Sequence, residues 1–317
     1  MSRVDFLSLA GLRADGRRPN ETRRIRCRMG VLERADGSAY YEQGNTKVLV
    51  SVMGPQEVTR RSDAQHDAAV LKVDFTLAPY SGMDRKERSR GDRKQLEAAM
   101  ALQRVFSTVV LTDLYPRSQI VISVLVTDAD GGELCAACNA VSLALQDAGV
   151  AMADAVVGIS AGYLEETPML DLNSLEGTSG CPEVPLAYYP ASGKIAMVQC
   201  SARLPLHVFD DLMTLAVSGA RSIHDMLKAV VKEHIQGVLS GEADATASIG
   251  TAGMLVAVDL PATQGATSRV AGLKLVSGEE DVGTAAAAAA GSKSHAQLGA
   301  ASIPEGTQGL AAGMGEK

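Results

Sequence analysis

The order of apolar and polar residues predicts alternating strands and helices over the first 240 residues. Short apolar or alternating runs bounded by Gly, Asn or Pro are typical of strands. One such stretch, YYEQGNTKVLVSVMGP, predicts two strands joined by a turn at Gly44 and Asn45. Further strands are predicted in AAVLKVDFTLAP, QIVISVLV, AVVGISAGYL, EVPLAYYP and KIAMVQCSA.

Three longer segments have apolar residues at helical spacing. The first begins at Asp92, the predicted N-cap, and has apolar positions at Leu96, Met100, Phe106 and Val110. The second is GELCAACNAVSLALQDAG, ending at Gly149, and the third is HVFDDLMTLAVSGARSIHDMLKAVVKEHIQGVL. Strands followed by a helix occur twice, which predicts an α/β or α+β chain with mixed sheets and two similar lobes.

The composition changes near Ser240. Of the 77 residues beyond it, 32 are Ala or Gly, none is aromatic, and TAAAAAAGSKS is of low complexity. Such a segment buries too little apolar surface to offset the entropy lost on ordering. We therefore predict one domain over residues 1–240 and a disordered, Ala/Gly-rich tail over residues 241–317.

Charge is distributed unevenly along the chain. The net charge is −7, and the tail accounts for −4 of it, with four basic and eight acidic residues. The first 34 residues contain nine arginines and four acidic residues, and the stretch RKERSRGDRK is strongly basic. Because local patches govern phosphate contacts, we interpret these segments as candidate polyanion-binding regions.

Cysteine usage gives no sign of a disulfide framework or a metal centre. The five cysteines are scattered, and the C-x-x-C pair Cys135 and Cys138 has no second ligand pair nearby. No apolar run reaches the roughly 18 residues of a membrane span, and the N-terminal apolar stretch is short for a signal peptide. We expect an intracellular chain without metal, cofactor or membrane association.

The stretch VTDADGGELCAACNA, residues 126–140, has the outline of a phosphate-binding loop. A strand, a glycine turn and a helix N-terminus favour an anion through free backbone N–H groups and the helix dipole. The residues after the glycines, however, are Glu133 and Leu134, and neither side chain can bind phosphate.

Six segments carry a resemblance to a known family. In chain order they are LRADGRRPNETR, GSAYYEQGNTKVLVSVMGPQE, GDRKQLE, LYPRSQIVI, DADGG and LALQDAGVAM. The chain resembles the RNase PH family over residues 10–240, and within it is similar to ring subunits of the eukaryotic-type RNA exosome. The resemblance implies a fold of two βα lobes that assembles as a six-membered ring around a central RNA channel.

The resemblance also implies a degenerate phosphorolytic site. Active members follow the glycine turn with Ser or Thr and then Arg, where this chain has Glu133 and Leu134. Two aspartates six residues apart correspond to Gly177 and Glu183, and Glu176 stands beside the vacant position. We interpret Glu183 as a solvated loop acid rather than a compensating carboxylate. No catalytic residue is therefore predicted, and the vestigial phosphate loop comprises Gly131, Gly132, Glu133 and Leu134.

Basic residues at the family's RNA-contacting positions are retained. Arg60 and Arg61 match the loop that lines the channel, and Arg93 and Lys94 match the start of an RNA-binding helix. A solvated surface is the competing interpretation of Arg93 and Lys94. The resemblance thus predicts a non-catalytic exosome ring subunit that threads RNA 3′ ends. The alternatives are an active phosphate-dependent 3′ exoribonuclease and a stand-alone, homo-oligomeric tRNA-trimming enzyme.

The partners implied by the resemblance are other RNase PH-like ring subunits of the 45 and 42 types, S1/KH cap subunits, docked hydrolytic nucleases and single-stranded RNA. The same resemblance implies a location in the nucleus, including the nucleolus, and in the cytoplasm.

Overall fold

The computed structural model of the protein describes residues 7–8, 11–58, 65–87 and 92–240. The predicted tail and the loop arginines Arg60 and Arg61 lie outside these residues. Within the described residues, no helix is long and apolar enough to cross a membrane.

The first lobe is a five-stranded sheet with two helices. Its elements in chain order are β1 Ile25–Met29, β2 Gly37–Gln43, β3 Thr46–Glu57, β4 Val70–Leu77, α1 Arg93–Val109, β5 Ser118–Asp128 and α2 Glu133–Asp147. The strand order is β1-β2-β3-β5-β4, and all neighbours are antiparallel except β4 and β5. Parallel strands need a long crossover connection, and α1 lies in the connection between β4 and β5.

The second lobe is a four-stranded antiparallel sheet with a long final helix. Its elements are β6 Val157–Leu164, β7 Thr167–Leu170, α3 Ser174–Thr178, β8 Glu183–Tyr189, β9 Lys194–Val198 and α4 Leu206–Ser240. The strand order is β7-β6-β8-β9. The prediction of a mixed α/β chain with two βα lobes is confirmed, although the sequence pattern did not show β1, β7 or α3.

Helix α2 is shared by the two lobes. It is buried on nearly all sides because its residues are small or apolar, and the side chain of Asn139 connects it to both sheets. The Asn139 amide donates to the Gly158 carbonyl at 2.9 Å and to the Tyr41 hydroxyl at 3.1 Å. At Gly158 a methyl group would lie 2.7 Å from the Cys135 carbonyl oxygen, so glycine lets β6 approach the helix.

Helix α1 begins where the sequence predicted and buries one face. The Asp92 side chain accepts a hydrogen bond from the Lys94 backbone N–H, which confirms the predicted N-cap. Of the four apolar positions named from the sequence, Phe106 and Val110 are buried, whereas Leu96 and Met100 are 56% and 46% exposed. The buried residues recur at i, i+3, i+4 and i+7, on the face that packs against the sheet: Leu102, Val105, Phe106 and Val109.

Candidate phosphate-loop site

The glycine turn between β5 and α2 has the predicted strand, turn and helix arrangement. Gly131 and Gly132 have φ of +83° and +65°, in the left-handed region that favours glycine. A methyl group on Gly131 would lie 2.5 Å from the Leu172 carbonyl oxygen. Gly131 therefore lets the turn pack closely on the segment that leads into α3.

The turn is held from behind by Arg23, which is buried. Its guanidinium donates to the carbonyl oxygens of Asp130 at 2.6 Å and Gly131 at 3.0 Å. It also donates through Nη2 to Asp171 Oδ1 at 2.7 Å and through Nε to Oδ2 at 3.0 Å. Arg23 thus neutralises a buried carboxylate and is not presented to a bound phosphate.

Two more arginines of the N-terminal segment are buried beside it. Arg13 forms a two-point ion pair with Glu176, with Nε donating to Oε1 at 2.8 Å. Arg17 Nη2 donates to the Asn173 side chain at 2.8 Å. The interpretation of this whole segment as a polyanion-binding patch was therefore wrong for these three arginines, since internal carboxylates and carbonyl groups surround them.

Glu176, the acid beside Gly177, is a structural residue. It is 2% exposed, pairs with Arg13, and accepts a hydrogen bond from the Asn173 backbone N–H at 2.9 Å as part of the α3 capping box. With both carboxylate oxygens engaged in the interior, Glu176 cannot serve a leaving oxygen.

Glu183 is not the solvated loop acid that the sequence suggested. It is the first residue of β8, pairs in register with Gly162 of β6, and is half-buried. Burial, and then the negative charge of Glu133, raise the pKa of the Glu183 carboxyl above its usual range. The structure thus brings Glu183 near the first residue after the glycine turn.

The two residues that directly follow the glycine turn are one acidic and one apolar residue. Glu133 is the first residue of α2, where its carboxylate complements the helix dipole. Leu134 is partly buried and packs against the core. Two neighbouring carboxylates, at positions 133 and 183, therefore oppose an incoming phosphate electrostatically.

A stability measurement would test this description of Glu183. Because its folded pKa is raised above the unfolded value of about 4.3, its ionisation destabilises the folded state as pH rises above that value. We expect E183Q to be more stable than wild type at pH 7 and equally stable at pH 4 or below, measured by urea unfolding. If E183Q remained more stable than wild type at low pH, ionisation of Glu183 would not be the cause of the stability difference.

Arg93 and Lys94 lie at the exposed start of α1. Arg93 is 90% exposed in its side chain, and its Nε donates to Glu97 Oε1 at 2.7 Å, one helical turn along. Its ion-pair partner is thus on its own helix and not in the glycine turn. The structure places both residues where a polyanion could reach them, and does not join them to the phosphate loop.

The C-x-x-C pair lies inside α2. Cys135 and Cys138 are buried free thiols, and burial raises the pKa of Cys138 to about 12 and that of Cys135 well above its usual value. Neither sulfur is a thiolate near neutral pH. Among the described residues, no three His, Cys, Asp or Glu side chains are grouped to hold a metal ion.

The mixed five-stranded sheet and the antiparallel sheet share helix α2, and a glycine turn precedes that helix. This arrangement defines an RNase PH-like fold. The family model described as the 3′ exoribonuclease family, domain 1, matches residues 21–151. The chain is 44% identical over 237 residues to the exosome complex component RRP41 of Mus musculus, covering 74% of this chain and 97% of the relative.

Two solved structures share the fold. Rice Rrp46 is 25% identical with a TM-score of 0.62, covering 69% of this chain and 100% of that one. A chain of the Archaeoglobus fulgidus exosome with RNA bound to the active site is 21% identical with a TM-score of 0.59, covering 68% and 93%. The chain belongs to the RNase PH family of exoribonuclease-like proteins, among relatives of the RRP41 type.

Proposed function

We propose that this chain is a non-catalytic ring subunit of the RNA exosome, contributing to ring assembly and to threading RNA 3′ ends. The observation that carries the non-catalytic part is Glu133 directly after the glycine turn, with the half-buried Glu183 close enough for its carboxyl to feel the Glu133 charge. Arg23, the cation that touches this turn, is occupied behind it by Asp171 and two carbonyl groups. Phosphate would meet the negative charge of Glu133, and the guanidinium fork of Arg23 is already engaged.

The assembly part of the proposal is supported by similarity. The relatives are named exosome complex components, and the chain covers nearly their whole length. The partners we propose are ring subunits of the 45 and 42 types, S1/KH caps and docked hydrolytic nucleases. We propose nuclear, nucleolar and cytoplasmic localisation on the same basis.

One observation favours the alternative, an active phosphate-dependent exoribonuclease. Glu183 retains a carboxyl at a position of the catalytic acids, and its raised pKa would suit a group that donates a proton to a leaving oxygen. The residues after the glycine turn count against this alternative, because Glu133 and Leu134 supply neither the hydroxyl nor the guanidinium expected of an active member. Removing one such donor typically costs about 10² to 10³ in rate.

An RNA degradation assay separates the two proposals. We expect the chain, purified with its ring neighbours, to release no nucleoside diphosphates from single-stranded RNA at any phosphate concentration. The control is the same preparation with E183A, which should behave identically. A phosphate-dependent ladder that disappears in E183A would establish the enzymatic alternative.

RNA threading makes a prediction about Arg93 and Lys94. Each protein cation that neutralises a phosphate displaces counterions from the RNA. For single strands, each such contact contributes about 0.7 to the slope of log affinity against log salt concentration. Replacing both residues with Ala should lower the slope for the assembled ring by about 1.4, equally for poly-A and poly-U. An unchanged slope would assign both residues to a solvated surface.

A further inference from the structure

The five-stranded sheet has an outward face, on the side opposite α2. Strand alternation sends Val48, Val50 and Val52 of β3 into the core, and the residues between them to the outward side. The same alternation along β1 buries Ile25, Cys27 and Met29. It therefore places on the outward face a stripe of three arginines, Arg24, Arg26 and Arg28.

This arginine stripe differs from the buried arginines nearby. Arg24 and Arg26 are exposed, Arg28 is partly exposed, and the nearest carboxylate to Arg26 is that of Glu42, at 3.9 Å. Arg24 and Arg28 form no ion pair with any residue in the described part of the chain. Residues two apart on a strand are separated by about 6.8 Å, so these three guanidinium groups repel one another, and the Glu42 carboxylate offsets this repulsion at Arg26 alone among the described residues.

A row of side chains continues from the arginine stripe across the sheet. Arg28 lies opposite Tyr40, Tyr40 opposite Leu49, and Leu49 opposite Leu125. The Tyr40 ring is half-buried, and its hydroxyl donates to Glu42 Oε1 at 2.6 Å. An aromatic ring and apolar side chains thus border a line of cations, the combination on which single-stranded bases stack while phosphates are neutralised.

We propose that this outward face binds an extended single strand of RNA, with phosphates on Arg24, Arg26 and Arg28 and a base on the Tyr40 ring. The inference rests on the proposed function, because RNA is the polyanion that function supplies. The site is separate from Arg93 and Lys94, since β1 and β4 are opposite edges of the sheet, four strand spacings or about 19 Å apart, and α1 packs against β4.

Fluorescence anisotropy of the full chain with labelled oligo-U and oligo-A, over a range of salt concentrations, tests this site. We expect R24A/R26A/R28A to lower the salt slope by about 2, equally for both sequences. The charge-retaining R24K/R26K/R28K should keep the slope. A matched control removes three exposed cations of the other lobe, R203A/K228A/K232A, and should also leave the slope unchanged.

The contribution of Tyr40 has its own readout. Y40A should weaken binding about fivefold or more, the lower limit for one stacked base, whereas Y40F should bind like wild type. Oligonucleotides containing 4-thiouridine should crosslink to the peptide that carries Tyr40, identified by mass spectrometry. Crosslinks confined to other peptides would overturn the assignment.

The outcomes separate this inference from the function on which it rests. If R24A/R26A/R28A keeps the wild-type slope while R93A/K94A lowers it, the outward face is not an RNA site and the threading function stands. If R24A/R26A/R28A abolishes ring assembly but leaves RNA binding by the chain unchanged, the face binds a protein and the inference is wrong. Unchanged slopes in both variants would contradict both proposals.

Discussion

Replacing Asp171 with Asn is expected to lower the free energy of unfolding by about 3–5 kcal/mol, because it removes the buried carboxylate paired with Arg23 at 2.7 Å and leaves only the partly exposed Asp130, 3.9 Å away. Asp171 is 0% exposed and accepts hydrogen bonds from the Arg23 backbone N–H at 2.7 Å and from its guanidinium. Asn keeps the shape of the side chain and tolerates the φ of +53° at this position. The loss therefore measures the missing charge rather than a changed backbone.

Urea unfolding is the measurement, and Asp128 supplies the matched control. Asp128 also pairs with a cation, Lys47 at 2.8 Å, but both side chains are about two-fifths exposed. We expect D128N to change stability by at most about 1 kcal/mol, as for other exposed pairs. Equal effects of D128N and D171N would contradict the importance assigned to burial.

The pH dependence of Asp171 has a definite sign. Burial alone would raise the pKa of its carboxyl, but the Arg23 charge and hydrogen bonds outweigh burial and lower it below the usual range. The stabilisation from this pair is therefore present above the unfolded value of about 3.9 and is lost as pH falls through the lowered folded pKa. The stability gap between wild type and D171N should accordingly narrow in acid.

Where local periodicity decides the structure, the sequence was sufficient. The strands β3 and β5, the Gly44 turn and helix α2 were all predictable, because alternation, a turn dipeptide and a small-residue helix each have a local signature. Strand β7, with sequence TPML, was missed because four residues including a proline give no alternation to recognise.

The exposed or buried state of charged residues could not be predicted from the sequence. Arg23 and Arg24 are adjacent and chemically identical, yet one is 6% exposed and pairs with a carboxylate 148 residues away, while the other faces solvent. That difference arises from the β1 register and from β7 bringing Asp171 to the turn. The burial of Asp171 had one signal in the sequence, because this single acid directly follows the apolar end of a short strand.

The glycine turn itself could be recognised, but its surroundings could not. The sequence predicted that Glu133 and Leu134 replace phosphate ligands, while the partial burial of Glu183 and the occupation of Glu176 by Arg13 required the folded chain. Glu176 and Glu183 are both acidic residues of the same loop region in the sequence. Only their contacts show that one is structural and the other borders the site.

If the proposed non-catalytic function is right, giving the glycine turn and the two acid positions the residue types implied for active family members should create phosphate-dependent RNA degradation. The restored variant carries the residue types of active family members, E133T/L134R/G177D/E183D. Gly177 accepts a side chain without a clash, because no atom lies within 4 Å of an added Cβ and its φ is not positive. Leu134 is only partly buried, so an arginine there can extend its guanidinium towards the helix N-terminus.

The expected gain is large because the groups act together. A hydroxyl and an arginine fork replace a repelling carboxylate and a leucine, and each donor is worth about 10² to 10³ in rate. The effects of residues that act as a unit do not add. E133T/L134R alone should therefore bind phosphate without releasing nucleoside diphosphates.

The measurement is nucleoside diphosphate release by the assembled ring, with and without inorganic phosphate. The matched control E133T/L134M/G177D/E183D has a long side chain at position 134 without the cation, and should remain inactive. A restored variant that is folded and assembled, but as inactive as this control, would show that Glu133 and Leu134 are not what prevents catalysis. Phosphate-dependent activity in the wild-type ring would contradict the non-catalytic proposal directly, because Glu133 and Leu134 would then be compatible with turnover.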